Sequence, residues 1–182
     1  MKRALVTGAG GFIGSHLVKY LKDKGYWVRG VDLKYPEWEA IAADRFILCD
    51  LRNTKEAHQA LRNWRGTFDE VYALAADMGG MGFISSHHAQ ILRNNALINI
   101  NTLDAARQVG VGRYLYTSSA CVYPEYRQLE TDVPGLKEAD AWPAQPQDAY
   151  GLEKLVTEEL CRHYRRDYGL ETRIARLHNV YG

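Results

Sequence analysis

Tyr150 and Lys154 stand four residues apart, as Tyr-x-x-x-Lys, in a stretch that reads as helix. At i and i+4 both side chains share one helix face. An ammonium beside the phenol favours its ionised form and pulls it down from about 10. Tyr150 is then a general base for an alcohol or sugar hydroxyl. The alternative, two ordinary residues of an amphipathic helix, would win for an isolated pair. Thr117-Ser118-Ser119-Ala120-Cys121 follows a strand-like run, and its Ser119 can hydrogen-bond a reacting oxygen. Cys121 brings a thiol, whose ordinary value of about 8.5 allows proton exchange with carbon near neutrality. Its bland reading is a small buried hydrophobe. Cys49 and Cys161 read as packing residues of a strand and a helix.

A second set of residues could hold a phosphate. Gly8-Ala9-Gly10-Gly11-Phe12-Ile13-Gly14 closes a short apolar run and opens into a helix. Glycines let the backbone turn tightly against a pyrophosphate, whose charge sits on the free N–H groups of the helix N-terminus. The spacing is GxxGxxG, and a plain strand-to-helix turn is the alternative. Asp32 ends the next strand and is expected to accept hydrogen bonds from an adenosine ribose. Its carboxylate disfavours a 2′-phosphate and so favours NAD, while Arg29 and Lys34 leave NADP open. Asp50 and Leu51 follow the third strand, where an adenine could be contacted. A capping acid is the equal alternative for Asp50. Ala75, at the end of the fourth strand, completes the expected cofactor contacts.

The elements that must position these residues alternate. Strand-like runs at Ala4–Thr7, Trp27–Val31, Phe46–Cys49, Val71–Ala76, Arg113–Thr117 and Thr172–Leu177 are separated by helical ones. Ile13, Leu17 and Leu21 lie on one helical face that stops at Gly25. Asn53 or Thr54 can cap a helix carrying Ala57, Ala60, Leu61 and Trp64. Long helices are expected over about His88 to Val109 and Asp148 to Tyr168. The class is α/β, a doubly wound parallel sheet of order 3-2-1-4-5-6 with helices on both faces. Ligands of such sheets bind at the carboxyl ends of the strands.

Composition bounds the rest. The 182 residues allow one domain, 1–182, and the 23 Lys+Arg against 22 Asp+Glu disfavour a nucleic-acid electrostatic surface. No apolar run approaches the roughly 20 residues of a membrane span, and the N-terminus lacks a signal-peptide pattern, so a cytoplasmic protein is expected. Three scattered cysteines without a CxxC suggest neither disulfides nor zinc. His87-His88 has no third ligand at a recognisable spacing, so no metal is expected. Arg162, Arg165 and Arg166 read as a solvated helix end that suits the dipole. The loop Met78 to Gly82 suits close approach of a substrate.

The glycine loop, Ser119 and the Tyr150/Lys154 pair together resemble the extended short-chain dehydrogenase/reductase superfamily of NAD-dependent epimerases and dehydratases, which implies a Rossmann-like NAD domain. Longer stretches are more specific: Ala75-Ala76-Asp77-Met78-Gly79-Gly80-Met81-Gly82-Phe83, Ser118-Ser119-Ala120-Cys121-Val122-Tyr123-Pro124-Glu125, and Trp142-Pro143-Ala144-Gln145-Pro146-Gln147-Asp148-Ala149-Tyr150-Gly151-Leu152-Glu153-Lys154. They resemble the GDP-mannose 3,5-epimerases within that superfamily. The resemblance implies Ser119, Cys121, Tyr150 and Lys154 as catalytic positions, with Gly79, Ser119, Ala120, Cys121 and Asn179 contacting a nucleotide-diphosphate sugar, GDP-mannose. It implies an acid on the opposite face of the sugar, a lysine beyond Asn179-Val180-Tyr181-Gly182. The substrate-binding C-terminal part is therefore expected to be missing, leaving NAD binding with little turnover. A homodimer through the two longest helices is expected as well. The other readings are a different sugar-nucleotide 4-epimerase, dehydratase or reductase, or a non-catalytic NAD-binding fragment.

Overall fold

The computed structural model describes all residues except 38, 39, 65, 80, 129–131, 133 and 182, together with the side chain of residue 81. Six strands, β1 (Arg3–Thr7), β2 (Trp27–Asp32), β3 (Arg45–Leu48), β4 (Glu70–Ala73), β5 (Arg113–Ser119) and β6 (Thr172–Leu177), form one parallel sheet. Its order is β3-β2-β1-β4-β5-β6, as the alternating pattern predicts. Helix α1 (Phe12–Asp23) covers one face, packing on Ala4, Val6 and Val28. The one-turn helix α3 (Met81–Ile84) starts inside the stretch Met78 to Gly82 that sequence reads as loop and runs two residues past it. On the other face of the sheet lie α2 (Thr54–Leu61), α4 (His88–Val109) and α5 (Ala149–Tyr168), over a core of Leu5, Val71, Tyr114 and Tyr116. Leu5 pointing opposite to Ala4 and Val6 is the period-two alternation of a strand buried on both faces.

Element ends differ from the sequence reading where side chains intervene. The apolar run Val71–Ala76 leaves the ladder at Ala73, because Thr7 Oγ1 accepts the N–H groups of both Leu74 and Ala75 at 3.1 Å. Asn53 caps α2 through Oδ1, accepting from Lys55 and Glu56. That helix ends at Leu61, so Trp64 is not on its buried face but 77% exposed. Along α4 the buried face carries Asn94, Asn95, Asn99, Asn101 and Thr102 among its apolar residues. No helix among the described residues is long and apolar enough to cross a membrane.

Arg29, which in the sequence leaves a 2′-phosphate open, points elsewhere. It is 1% exposed, and its Nη1 donates to the carbonyls of Ala60 and Arg62 at 2.7 Å. A cation there satisfies orphan carbonyls and the negative end of the α2 dipole. Its guanidinium also lies 4.9 Å from the Phe68 ring centre, close enough for a cation–π contact. Arg29→Ala would strip two carbonyls of their donor and open a cavity; we expect a loss of about 3 kcal/mol in urea unfolding.

Candidate active site

Glycine packing builds the first half of the site. Gly8 has φ +72°, a conformation other residues rarely adopt, and a side chain there would strike the backbone of Ala75 at 2.9 Å. A Cβ on Gly14 would lie 2.0 Å from the Gly8 carbonyl, so the first turn of α1 rests directly on the loop. A Cβ on Gly11 would meet only that same carbonyl, at 3.4 Å, leaving its other side open. Gly11 is the N-cap, and no side chain caps the helix. The N–H groups of Phe12 and Ile13, the first helical residues, are therefore those an anion can take. Both side chains are exposed, with Phe12 edge-on to His16.

Beside this loop is a cavity of about 370 Å³, within the range of small-ligand sites. Gly8, Gly11, Asp32, Asp50, Leu51 and Ala75 all line it, six of the expected cofactor positions together. Asp32 also ties the loop down: Oδ2 accepts from Gly10 N at 2.8 Å and Oδ1 from Leu33 N at 2.6 Å. A carboxylate oxygen can accept more than one bond, so ribose hydroxyls remain suitable donors. Lys34 is paired with Glu37. Asp50 is neither a helix cap nor free. Arg52 Nη2 reaches its Oδ2 at 2.6 Å and holds its carboxyl below the usual range.

The second half lies at the carboxyl ends of β5 and β6. Ser119 ends β5, and its Oγ accepts the Cys121 N–H at 3.2 Å, capping a short 3₁₀ turn, Ala120–Val122. Ala120 is half-buried, and Cys121 is exposed, so the bland reading of a buried packing thiol does not hold. Cys161 does pack in the core, and the half-buried Cys49 packs against it. A Cβ on Gly151 would stand 2.1 Å from the Cys121 carbonyl. Only glycine lets α5 come this close to the turn, and Tyr150 is its neighbour.

Lys154 is 4% exposed and donates to the Thr117 carbonyl at 2.8 Å, its Nζ 5.6 Å from the Tyr150 ring centre. The phenol is not depressed, contrary to the expectation from spacing. Burial pushes Tyr150 up to about 12, with the Ser119 hydroxyl opposing it and Cys121, Glu153 and Asp148 adding to the rise. The ammonium meets the ring rather than the oxygen, so burial wins. Asn179 lies exposed two residues beyond Leu177, which pairs with Ser119, at the same sheet edge. Gly79 is exposed and abuts Phe83. His87 precedes α4 and stacks on Phe83, and among the described residues no cluster of His, Cys, Asp and Glu could hold a metal.

Several site-building residues escaped the sequence reading. Asp77, lining the cavity, accepts from Asn94 Nδ2 at 2.7 Å, and Asn95 Oδ1 accepts the Asp77 N–H at 2.6 Å. Glu158 is fully buried, accepting from Ser118 Oγ at 2.6 Å and from Arg176 at 2.8 and 2.7 Å. The signal was present as paired asparagines inside a helix, where they are poor formers, and as an acid one turn after Lys154.

The family model described as the NAD dependent epimerase/dehydratase family matches residues 4–182. GDP-mannose 3,5-epimerase of Arabidopsis thaliana is 54% identical over 179 residues, 97% of this chain and 46% of that protein. GDP-mannose 3,5-epimerase 1 of Oryza sativa subsp. japonica is 54% identical over 182 residues, 99% of this chain and 47% of its own length. The chain thus spans about half the length of the curated relatives it matches. The crystal structure of a Thermus thermophilus UDP-glucose 4-epimerase in complex with NAD superposes with a TM-score of 0.83 at 30% identity, covering 99% of this chain and 56% of that one. Sheet order, glycine loop, the Tyr150/Lys154 pair and these matches agree: the chain belongs to the NAD dependent epimerase/dehydratase family.

Proposed function

We propose that this chain is the NAD-binding part, 1–182, of a nucleotide-sugar epimerase acting on GDP-mannose. The observation that carries this reading is the meeting of Tyr150, Lys154, Ser119 and Cys121 at the strand ends next to the glycine cradle. The 54% identity to GDP-mannose 3,5-epimerases supports the choice of substrate. The cradle fits NAD: Gly8, Gly11 and Gly14 with the N–H groups of Phe12 and Ile13 take the pyrophosphate, Asp32 the ribose, and Asp50, Leu51 and Ala75 line the adenine end. With Arg29 buried at the α2 end and Lys34 held by Glu37, neither cation near Asp32 in sequence favours a 2′-phosphate.

When bound, NAD supplies a hydride acceptor, a positive charge, and the hydride's return, so the cycle has no net redox. Tyr150 removes the proton of the hydroxyl on sugar carbon 4, with Ser119 hydrogen-bonded to the same oxygen. Burial holds the phenol at about 12 in the ligand-free chain, so a cation bound beside it would favour the ionised base. Lys154 holds the nicotinamide ribose. The ketone at carbon 4 acidifies the C–H bonds of carbons 3 and 5, and Cys121 exchanges a proton at one of them. The acid on the opposite face lies outside these residues. Gly79, Ala120 and Asn179 contact the sugar nucleotide.

A second copy of the chain is the proposed partner. Leu92 and Ile100 of α4 with Leu152 and Val156 of α5 are 38%, 48%, 41% and 58% exposed, an apolar strip across two adjacent helices. Ile100→Asp with Val156→Asp should convert a dimer to a monomer in sedimentation velocity, with the fold intact by circular dichroism.

Calorimetric titration with NAD, then with GDP-mannose in its presence, tests the main reading. Binding of NAD is expected, abolished by Gly11→Val; failure of the wild type to bind NAD would remove the basis of the mechanism. Gly151→Ala should cost about 2 kcal/mol in urea unfolding, as overpacking does when a helix must retreat. In a chain that carries the complete substrate site, Tyr150→Phe should lower turnover by about a hundredfold or more while NAD still binds.

A further inference from the structure

Two buried charges in α5 lack the partner each needs, and they are consecutive residues. Among the described residues the ammonium of Lys154 has one hydrogen-bond acceptor, the neutral Thr117 carbonyl, and two ring faces, those of Tyr116 at 4.9 Å and Tyr150 at 5.6 Å. Glu153 is 1% exposed; its Oε1 accepts from Asn99 Nδ2 and Thr157 Oγ1, both at 2.7 Å and both neutral. Its Oε2 is buried with no partner among the described residues, and the same holds for the phenol oxygen of Tyr116. A buried charge with neutral partners alone is costly unless an opposite charge lies near.

The elements packed against α5 hold few candidates for that opposite charge. Helix α4 faces Glu153 with the neutral Asn99, and β5 contributes Tyr114 and Tyr116. The Ala120–Val122 turn contributes Cys121, and β6 contributes Arg176. From α5 itself come Tyr150, Glu158 and Arg162. Glu158, the other buried carboxylate of the helix, is consumed on both oxygens by Arg176. Glu153 is left, beside the buried lysine.

We propose that Glu153 is a positioning residue for Lys154: held by Asn99 and Thr157 at the α4–α5 contact, it is the counter-charge that keeps the lysine an ammonium inside the core. The two act through space rather than by a direct hydrogen bond. Burial pushes Lys154 below its ordinary value, and Glu153 is the group that opposes it. The same carboxylate adds to burial in raising Tyr116. A raised Tyr116 stays neutral, so the phenol is not itself the counter-charge. The consequence for catalysis rests on the role given to Lys154 above, whereas the charge pairing does not.

The test is direct titration of Lys154 by its side-chain 13Cε and 15Nζ resonances in the ligand-free chain, assigned by their loss in Lys154→Met. Glu153→Gln keeps the shape and a hydrogen-bonding group toward Asn99 and Thr157 but removes the charge. It should make Lys154 lose its proton at lower pH, with about a tenfold or larger rise in its acid ionisation constant. Glu159→Gln, which removes a carboxylate paired with Arg162, should leave the midpoint in place. An unmoved midpoint in Glu153→Gln would overturn the proposal. So would a Glu153 13Cδ resonance at the protonated position at pH 7 in the wild type, a measurement that needs no variant to fold. A shifted midpoint in a chain that fails to bind NAD supports the pairing while refuting the cofactor reading.

Discussion

Strand β1 is hydrogen-bonded on both sides, to β2 and to β4, and the chain leaves these three strands on opposite faces of the sheet. The crevice between those departures exists because no connection can fill it. Thr7, the last residue of β1, keeps it open by a specific exchange: its hydroxyl takes the N–H groups of Leu74 and Ala75, which a longer β4 would have given to the ladder. The backbone after β4 then passes within van der Waals reach of Gly8. From that one hydroxyl follow the packing that demands a glycine at position 8 and the line of the cavity wall from Ala75 to Asp77.

The opposite end of the site depends on buried charge rather than on glycine. Arg176 and Glu158 cross-link β6 to α5, and Ser118 joins them from β5. Removing one partner from such a pair leaves an uncompensated charge in the core, which costs far more than the intact pair contributes. The arrangement thus fixes geometry more than it adds stability. Ser119, next to Ser118, and Asn179, three residues after Arg176, inherit that fixed placement. Helix α5 brings Tyr150 and Lys154 into the same frame.

Strand order, the two long helices and the glycine loop were legible in the sequence because each is written in local chemistry: apolar runs, a helical spacing, glycines between strand and helix. Cys121 reads from its neighbours as a candidate site residue, and it is exposed rather than packed in the core. Four things were not legible. The end of β4 is set by Thr7, 67 residues away from Leu74. Arg29 reads as a residue near a ribose only until its side chain is seen to run the other way, to the end of α2. The ionisation of Tyr150 was misjudged because spacing reports which groups are neighbours, but not how much water has been removed from them. The asparagines of α4 also hid a buried face, by breaking the apolar periodicity that marks one.

The contrast between the two proposed proton-transfer groups follows from where each proton goes. A hydroxyl that loses its proton as its carbon loses a hydride generates little net charge if the base is already beside a cation, so a buried phenol is suited to the step. Burial also keeps that phenol neutral in the empty site. Proton exchange at carbon is different. It requires a group that reaches the face of the sugar and trades with solvent-derived protons, and a thiol held on a 3₁₀ turn is exposed enough to do so. Ser119 stands between the two environments, accepting the Cys121 N–H on one side and, through its hydroxyl, opposing the rise that burial imposes on Tyr150 on the other. A shift of α5 away from the turn would separate them, and the bare backbone of Gly151 is what holds that distance.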